Sequence, residues 1–292
     1  MKARALSRPP SGARVLRRVP PPARSLRRWT TEKLARFGRK SWLVSVPRED
    51  SLARASGQGG IGGTAIHRAT LVFDLDGTIA DTAADLIDAA NAALIAEGFR
   101  PASAEAIRRG VGYGARPMLD HALRSSGQSA DDAQLKRLAE RLVQHYEDHI
   151  AIKTRLFPGF LETALELRGQ GARLALCTNK LDRLVTKLVS ALRIAPLFDA
   201  KAGRDAFPFH KPDPRHITEL VARAGGALPF AIMIGDSEAD IAAARGAGIP
   251  VFAVRFGYAA VPPDELGADA ILRGFEELPD LVGAFLPVGR AA

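Results

Sequence analysis

The sequence predicts an α/β fold built on a parallel sheet, and its alternating pattern is the main reason. From about residue 69 onward, short apolar runs alternate with longer segments of helical character, which is typical of parallel strands joined by crossover helices. The expected strands lie near residues 69–74, 172–177, 230–235, 250–254 and 269–272. Polar or charged residues follow the first three strands directly, so we expect a site at that edge of the sheet.

The first expected strand ends in two carboxylates. Asp74 and Asp76 follow the apolar run Leu71, Val72 and Phe73. Like charges in a poorly solvated position oppose each other's ionisation, so two carboxylates there need a cation or a catalytic task. A divalent metal ion would meet that need.

A long insertion separates the first strand from the second. It comprises about eighty residues, with helical segments near 81–97 and 131–150 and no convincing strand pattern. Because a structureless loop of this length is not expected inside a compact domain, the insertion predicts a helical unit of its own.

Four short motifs occur in a fixed order along the chain. They are Phe-Asp-Leu-Asp-Gly-Thr at 73–78, Cys-Thr-Asn-Lys at 177–180, Lys-Pro at 211–212 and Gly-Asp-Ser-Glu-Ala-Asp at 235–240. One such motif can arise by chance in a turn, because Asp, Gly and Thr are ordinary turn residues. Four motifs in order, at expected strand ends, indicate a phosphoryl-transfer site.

The ordered set resembles the haloacid dehalogenase superfamily of phosphatases, and most closely its phosphoglycolate phosphatase-like branch. The resemblance runs from about residue 69 to about residue 286. It implies a Rossmann-like core, residues 69–81 and 156–292, with a helical cap, residues 82–155, inserted over the active site. By composition, residues 1–68 are expected to be a basic, disordered N-terminal extension with a Gly-rich linker.

The resemblance assigns catalytic and phosphate-binding roles to five residues. Asp74 would be the nucleophile that forms an aspartyl phosphate, and Asp76 would protonate the leaving alcohol and later deprotonate water. An acid at the Asp76 position marks phosphatases and phosphomutases, which argues against dehalogenation. Thr178 and Asn179 would donate hydrogen bonds to the phosphate, and Lys211 would neutralise its charge.

The same resemblance predicts a metal site that holds Mg²⁺. Its ligands would be the Asp74 and Asp236 side chains and the backbone carbonyl of Asp76, an all-oxygen set that suits this ion. Asp240 lies one helical turn beyond Asp236 and would support the ligands without binding the ion itself.

A Gly-rich basic segment at residues 108–116 is the candidate substrate loop of the cap. Glycines such as Gly112 and Gly114 free the backbone to approach a ligand, and Arg109 and Arg116 suit a carboxylate or a second phosphate. The alternative is an ordinary turn between cap helices with solvated arginines.

The positive charge of the chain is confined to its N-terminal part. The formal net charge is +9, but residues 1–66 carry 15 Lys and Arg against 3 Asp and Glu, whereas the remainder carries 26 against 29. We therefore expect no nucleic-acid binding through the folded domain. One cysteine excludes an intrachain disulfide, and no apolar stretch has the length of a membrane span.

The basic arm leaves three interpretations open. It has the Arg-rich, acid-poor composition of an organellar transit peptide, it could be a tail attracted to anionic surfaces, or it could be translated upstream of the true start. The expected location is the cytoplasm, or an organellar matrix if residues 1–40 are a transit peptide.

The expected activity is Mg²⁺-dependent hydrolysis of a small phosphorylated metabolite, with 2-phosphoglycolate as the leading candidate substrate. A phosphosugar mutase of the same superfamily is the alternative enzyme. A binding protein whose basic arm is the functional part is the alternative from another class.

Overall fold

The computed structural model of the chain describes residues 65–286. The extension predicted for residues 1–68 therefore lies outside the described residues, except for a short 3₁₀ turn at Ala65–Arg68. The strands are β1 (Thr70–Phe73), β2 (Ala80–Asp81), β3 (Arg155–Leu156), β4 (Arg173–Cys177), β5 (Ala200–Ala202), β6 (Ala231–Gly235), β7 (Val251–Val254) and β8 (Ala270–Leu272). The α-helices are α1 (Ala83–Ala96), α2 (Ala104–Arg108), α3 (Ala115–Ser125), α4 (Asp132–Asp148), α5 (Phe160–Gly169), α6 (Asp182–Ala191), α7 (Arg215–Arg223), α8 (Glu238–Ala247) and α9 (Leu278–Phe285).

Six strands form one parallel sheet in the order β5-β4-β1-β6-β7-β8. All four residues of β1 are buried, and apolar clusters cover both faces of the sheet. The α/β prediction and its five strands are confirmed. Because β1 lies between β4 and β6, the segments that follow these three strands meet at one edge of the sheet.

The edge strand β5 was not predicted from the sequence. It is three residues long, Ala200–Ala202, with a lysine in the middle, and it pairs only with β4. Such a short strand has no apolar run to mark it, and its position at the sheet edge makes few demands on side-chain type.

The inserted segment is helical, as predicted, and has its own apolar core. Helices α1 to α4 span residues 83–148, and their buried side chains include Leu94, Ile107, Leu119 and Leu138. The expectation that the insertion holds no strand was wrong at its edge, because β2 and β3 pair as an antiparallel ribbon where the chain enters and leaves the cap. Two-residue strands are too short to show a periodicity.

Asp85 fastens the two connections between cap and core to each other. Its buried carboxylate accepts hydrogen bonds from the backbone N–H groups of Lys153 and Thr154 and from Thr154 Oγ1, at 2.6–3.1 Å. A buried carboxylate with several donors is well stabilised.

Within residues 65–286, no helix has the length and apolar character needed to cross a membrane.

Candidate active site

Three buried carboxylates meet at the carboxyl edge of the sheet. Asp74 follows β1, Asp236 follows β6, and Asp240 lies one turn further along, in α8. Because β1 and β6 are neighbouring parallel strands, the segments that follow them leave the sheet at the same level. One oxygen of each carboxylate lies within 4.8 Å of the other two. The structure thus brings together the side chains that the sequence analysis assigned to a metal site and its support.

Lys211 lies between two of these carboxylates. Its Nζ is 2.5 Å from Asp240 Oδ1 and 3.0 Å from Asp74 Oδ1. Burial opposes a charged lysine, but attraction to Asp240 and Asp74 outweighs it and holds the pKa of Lys211 above its ordinary value. The other oxygen of Asp240 accepts hydrogen bonds from the N–H groups of Asp236 and Ser237. Asp240 therefore fixes the position of Lys211 beside Asp74.

Asp74 keeps one unsatisfied oxygen. Its buried Oδ1 accepts no hydrogen bond from the described residues, since the contact with Lys211 is an ion pair without hydrogen-bond geometry. Burial raises the pKa of Asp74 to about 6; the charge of Lys211 opposes this shift, and Asp240 and Asp76 add to it. Such an acceptor would gain a partner from a cation or from an electrophilic phosphorus atom.

The donor set fits a divalent metal ion. The pKa of Asp236 lies well above its ordinary value, first because the side chain is buried and then because Asp74 and Asp240 are close. A bound cation would relieve that repulsion and would give Asp74 Oδ1, which accepts no hydrogen bond, a positive partner besides Lys211. The clustered side chains offer only oxygen, which hard cations such as Mg²⁺ take as ligands.

The Gly-Thr part of the first motif shapes the position of Asp236. Gly77 has a φ of +85°, and a Cβ atom there would overlap Asp236 Oδ2. Thr78 Oγ1 donates to Asp236 Oδ1 at 3.1 Å, and the Tyr258 N–H donates to Oδ2 at 2.7 Å. Glycine is therefore required for both backbone conformation and space, and the threonine orients a carboxylate far along the chain.

Asp76 is held by an ion pair that the sequence analysis did not predict. Lys180 Nζ lies 3.0 and 2.9 Å from the two oxygens of Asp76, and Thr82 Oγ1 donates to Oδ1 at 2.7 Å. The same ammonium group lies 4.3 Å from the ring centroid of Tyr146 in α4. Lys180 thus links Asp76 in the core to the cap by a buried ion pair and a cation–π contact.

Thr178 and Asn179 follow β4 at the same edge. Thr178 Oγ1 accepts the N–H of Lys180 at 3.3 Å, which leaves its hydroxyl hydrogen for another acceptor. The amide nitrogen of Asn179 donates to the backbone oxygens of Gly112 and Lys211, both at 3.1 Å. Asn179 therefore ties the cap loop to the lysine loop, and the phosphate-binding roles of both residues stay predictions.

A cavity of about 610 Å³ opens between this edge of the sheet and the cap. Its lining includes Asp76, Thr178 and Lys180 together with apolar side chains such as Met118 and Leu142 of the cap. The volume is within the range of about 300–1,000 Å³ that is usual for small-molecule sites.

The residues predicted for the substrate loop have different surroundings. Gly112, Gly114 and Arg116 line the cavity, whereas Arg109 makes an exposed ion pair one turn back along α2. Arg116 lies in the first turn of α3 and pairs with Asp132, with both side chains exposed. Its role as a substrate contact stays a prediction.

Exposed ion pairs connect the cap to the core. Glu147 of α4 contacts Arg183 Nε at 3.0 Å and Lys187 Nζ at 2.5 Å, both in α6. The hydrogen bond from Lys187 is the main reason that the pKa of Glu147 lies below its ordinary value. In addition, the hydroxyl group of Tyr113 in the cap loop donates to Glu238 of α8.

Tyr258 is a second residue that the sequence analysis missed. Besides its N–H contact with Asp236, its hydroxyl group donates to Asp81 at 2.5 Å and accepts the N–H of Ala83 at 3.1 Å. It therefore joins the acidic cluster to the entry of the cap. Its place after β7, the neighbour of β6, was a usable signal, as was the position of Lys180 inside the second motif.

Comparison with known proteins decides the family. Residues 71–254, more than half of the chain, match the model of the haloacid dehalogenase-like hydrolases. The chain belongs to this family. The resemblance drawn from the four motifs is thereby confirmed, and the buried acidic cluster lies within the matched part of this haloacid dehalogenase-like hydrolase, which we call the hydrolase below.

Two curated relatives are similar over most of the hydrolase. It is 41% identical over 214 residues to a phosphoglycolate phosphatase of Caulobacter vibrioides, with 73% of this chain and 90% of that protein covered. It is 42% identical over 213 residues to a phosphoglycolate phosphatase of Mesorhizobium japonicum, with 73% and 94% covered.

Two solved structures have folds similar to that of the hydrolase, over a similar share of its residues. The crystal structure of a predicted phosphoglycolate phosphatase from Haemophilus somnus has a TM-score of 0.68 and 27% identity, covering 74% of this chain and 98% of the other. CbbY from Rhodobacter sphaeroides, in complex with phosphate, has a TM-score of 0.60 and 25% identity, covering 72% and 95%.

Proposed function

We propose that the hydrolase is a Mg²⁺-dependent phosphomonoester phosphatase that works through an aspartyl-phosphate intermediate. The observation that carries the proposal is the buried Asp74 carboxylate, with one oxygen free of hydrogen bonds, beside Lys211 and in a cluster of acidic groups. The names of the relatives support 2-phosphoglycolate as the first substrate to test.

In the first half of the reaction, an oxygen of Asp74 attacks the phosphorus atom. The bond between phosphorus and the leaving alcohol oxygen breaks, and Asp76 in its acid form gives its proton to that oxygen. Lys211 lies beside the nucleophile and balances the negative charge that gathers there. Lys180 and Thr82 hold the Asp76 side chain at the wall of the cavity, and the Lys180 charge stabilises the carboxylate that remains after the proton has been transferred.

In the second half, water releases the phosphate. Asp76, now ionised, takes a proton from the water molecule that attacks the phosphorus atom of the aspartyl phosphate. The bond between phosphorus and the Asp74 oxygen breaks, inorganic phosphate leaves, and both carboxyl groups return to their starting forms.

Mg²⁺ would be held by the side chains of Asp74 and Asp236 and by the backbone carbonyl of Asp76. When bound, it supplies positive charge for the phosphoryl oxygens. Asp240 and Thr78 then act on the protein side, because they position Lys211 and Asp236.

Phosphate release by the purified full chain tests this function. With Mg²⁺ present, we expect hydrolysis of 2-phosphoglycolate, and removal of the metal by a chelator should abolish it. Hexose phosphates are assayed in parallel, with and without a sugar bisphosphate. Isomerisation of a hexose phosphate that depends on the bisphosphate, without phosphate release, would favour the mutase and contradict the proposal.

We also propose a cytoplasmic location. The single cysteine, which is buried, is compatible with a reducing compartment. Fractionation of cells that express the full chain tests this, and recovery in an organellar matrix would favour a transit peptide instead.

A further inference from the structure

We propose that Arg204 is the specificity-determining residue of the cavity and that it binds a carboxylate on the leaving group. The inference rests on the proposed phosphatase function and narrows the substrate class to small phosphorylated acids. It assigns to a core residue the contact that the sequence analysis gave to Arg116 of the cap.

The charge balance of the cavity singles out Arg204. Five Lys and Arg side chains line the cavity, and four of them are paired with carboxylates: Arg116 with Asp132, Lys136 with Glu140, Lys180 with Asp76, and Arg183 with Glu147. Among residues 65–286, no carboxylate lies within ion-pair distance of Arg204. Its guanidinium group is therefore the lining cation that remains available for an anionic ligand.

The backbone around Arg204 is anchored on both sides. Its N–H donates to the carbonyl oxygen of Lys180 at 2.8 Å. The N–H of Gly203 donates to Asp182 Oδ1 at 2.9 Å, and the N–H of Asp182 donates to Asp205 Oδ1 at 2.7 Å. Because Lys180 in turn holds Asp76, Arg204 is connected through one residue to the proposed acid. A side chain that positions a substrate needs a backbone that is itself held in place, as it is here.

The cap makes room for the guanidinium group. Gly114 has a φ of +96°, and a Cβ atom there would overlap Arg204 Nη1. The glycine that was expected to approach a ligand thus lies against the arginine. Arg204 is half-buried in this position, which strengthens hydrogen bonds to a carboxylate relative to open solvent. The planar guanidinium group suits a two-pronged contact with a carboxylate.

Selection among phosphate esters requires a contact of this kind. The reaction chemistry assigned to Asp74, Asp76 and Lys211 acts on the phosphoryl group, which all phosphate esters share. Among esters of similar intrinsic reactivity, interactions with the leaving group determine which ester has the higher kcat/KM. Arg204 supplies such an interaction to esters whose leaving group carries a negative charge.

The test compares two esters that differ in that charge. Full-length Arg204→Gln, Arg204→Lys and Arg116→Gln variants are assayed with Mg²⁺ on 2-phosphoglycolate and on 2-hydroxyethyl phosphate, in which an uncharged hydroxymethyl group replaces the carboxylate. We expect Arg204→Gln to lower kcat/KM for 2-phosphoglycolate about 10- to 100-fold, mainly through KM, and to change it less than about threefold for the neutral ester. Arg204→Lys keeps the charge without the planar fork and should fall between wild type and Arg204→Gln.

The outcomes separate this inference from the proposed function. Equal losses on both esters, no loss on either, or a carboxylate-selective loss in Arg116→Gln alone would each overturn the role of Arg204 while the phosphatase stands. A wild-type enzyme that hydrolyses neither ester would overturn both. Melting temperatures of the variants check their folding, and if Arg204→Gln does not fold, the selectivity of Arg204→Lys decides.

Discussion

The charged groups at the carboxyl edge of the sheet are buried, whereas the basic side chains of α6 that pair with Glu147 of α4 are about half exposed. Lys211 and Asp240 have side chains that are 1% and 0% exposed, but Arg183 and Lys187, which pair with Glu147, are each 51% exposed. Buried charges are costly unless they are paired, and exposed pairs contribute little. We therefore expect the first region to serve the proposed chemistry and the second to contribute only weakly to the contact between α4 and α6.

Replacing the buried nucleophile should have the largest effect. Asp74→Asn removes the attacking oxygen with almost no change in shape, so we expect turnover to fall by about 10⁴-fold or more while the protein stays folded. Steady-state phosphate release and circular dichroism measure the two properties. Substantial residual turnover in purified protein would remove Asp74 from the mechanism and with it the functional reason for the buried charge.

Replacing Asp76 should lower turnover less than replacing Asp74, and the loss should depend on the leaving group. Asp76→Asn removes the proton donor and acceptor, which contribute roughly 10²–10⁴-fold to the rate. Release of an alkyl alcohol needs that proton more than release of an acidic phenol. The ratio of rates on 2-phosphoglycolate and on an aryl phosphate should therefore fall; an unchanged ratio would contradict the acid role.

Mg²⁺ should stabilise the fold through the acidic cluster. At about 100 times its dissociation constant, a ligand adds about 2.7 kcal/mol to the free energy of unfolding. For a chain of this size, that corresponds to a rise in Tm of about 5–10 °C. Thermal unfolding with MgCl₂, compared with NaCl at equal ionic strength, measures the shift.

The Asp236→Asn variant shows whether the Mg²⁺-dependent rise in Tm comes from binding at the acidic cluster. Asp236→Asn removes one of the repelling charges, so without Mg²⁺ its Tm should equal or exceed that of the wild type, and Mg²⁺ should shift it little. A full Mg²⁺ shift in this variant would show that the ion binds elsewhere.

Breaking an exposed pair between cap and core should have the smallest effect. Glu147→Gln should change KM by no more than about two- to fivefold, and the change should fade at high salt because exposed charges are screened. Asp120→Asn, which removes an exposed pair within the cap, is the matched control. A larger change, or one that persists in high salt, would mean that Glu147 contributes to the site by more than exposed ion pairing.

The pH dependence of this pair has a definite sign. The pKa of Glu147 in the folded protein lies below its ordinary value of 4.5. The ion pairs of Glu147 therefore stabilise the folded protein at neutral pH, and this contribution is lost as the pH falls through the folded pKa. Glu147→Gln and wild type should thus converge in Tm at low pH, and a difference that persists there would contradict the assignment.

The buried site was largely predictable from the sequence because parallel strands bring their carboxyl ends together. Asp74 and Asp236 are far apart in the chain, yet each follows a strong apolar run, and two neighbouring runs of this kind converge. The short edge strand at Ala200–Ala202 and the ribbon at the entry of the cap have too few residues to leave a pattern.

The roles of the charged residues that line the cavity were less predictable, because ion pairing depends on tertiary packing. The sequence contained both Arg116 and Arg204, but it could not tell that Asp132 pairs with the first and that no described carboxylate pairs with the second. Similarly, Lys180 was visible inside a motif, but its contact with Asp76 crosses 104 residues and requires the folded core.

Location of the phosphoryl group on the trapped enzyme tests the central claim most directly. Asp76→Asn protein is mixed with an aryl phosphate and Mg²⁺, quenched in acid, and mapped by peptide mass spectrometry. Because the leaving phenol needs no proton but the attacking water needs a base, the intermediate should accumulate. We predict a phosphoryl group on Asp74 alone. A phosphoryl group on another residue, or continued hydrolysis without any labelled protein, would contradict the account.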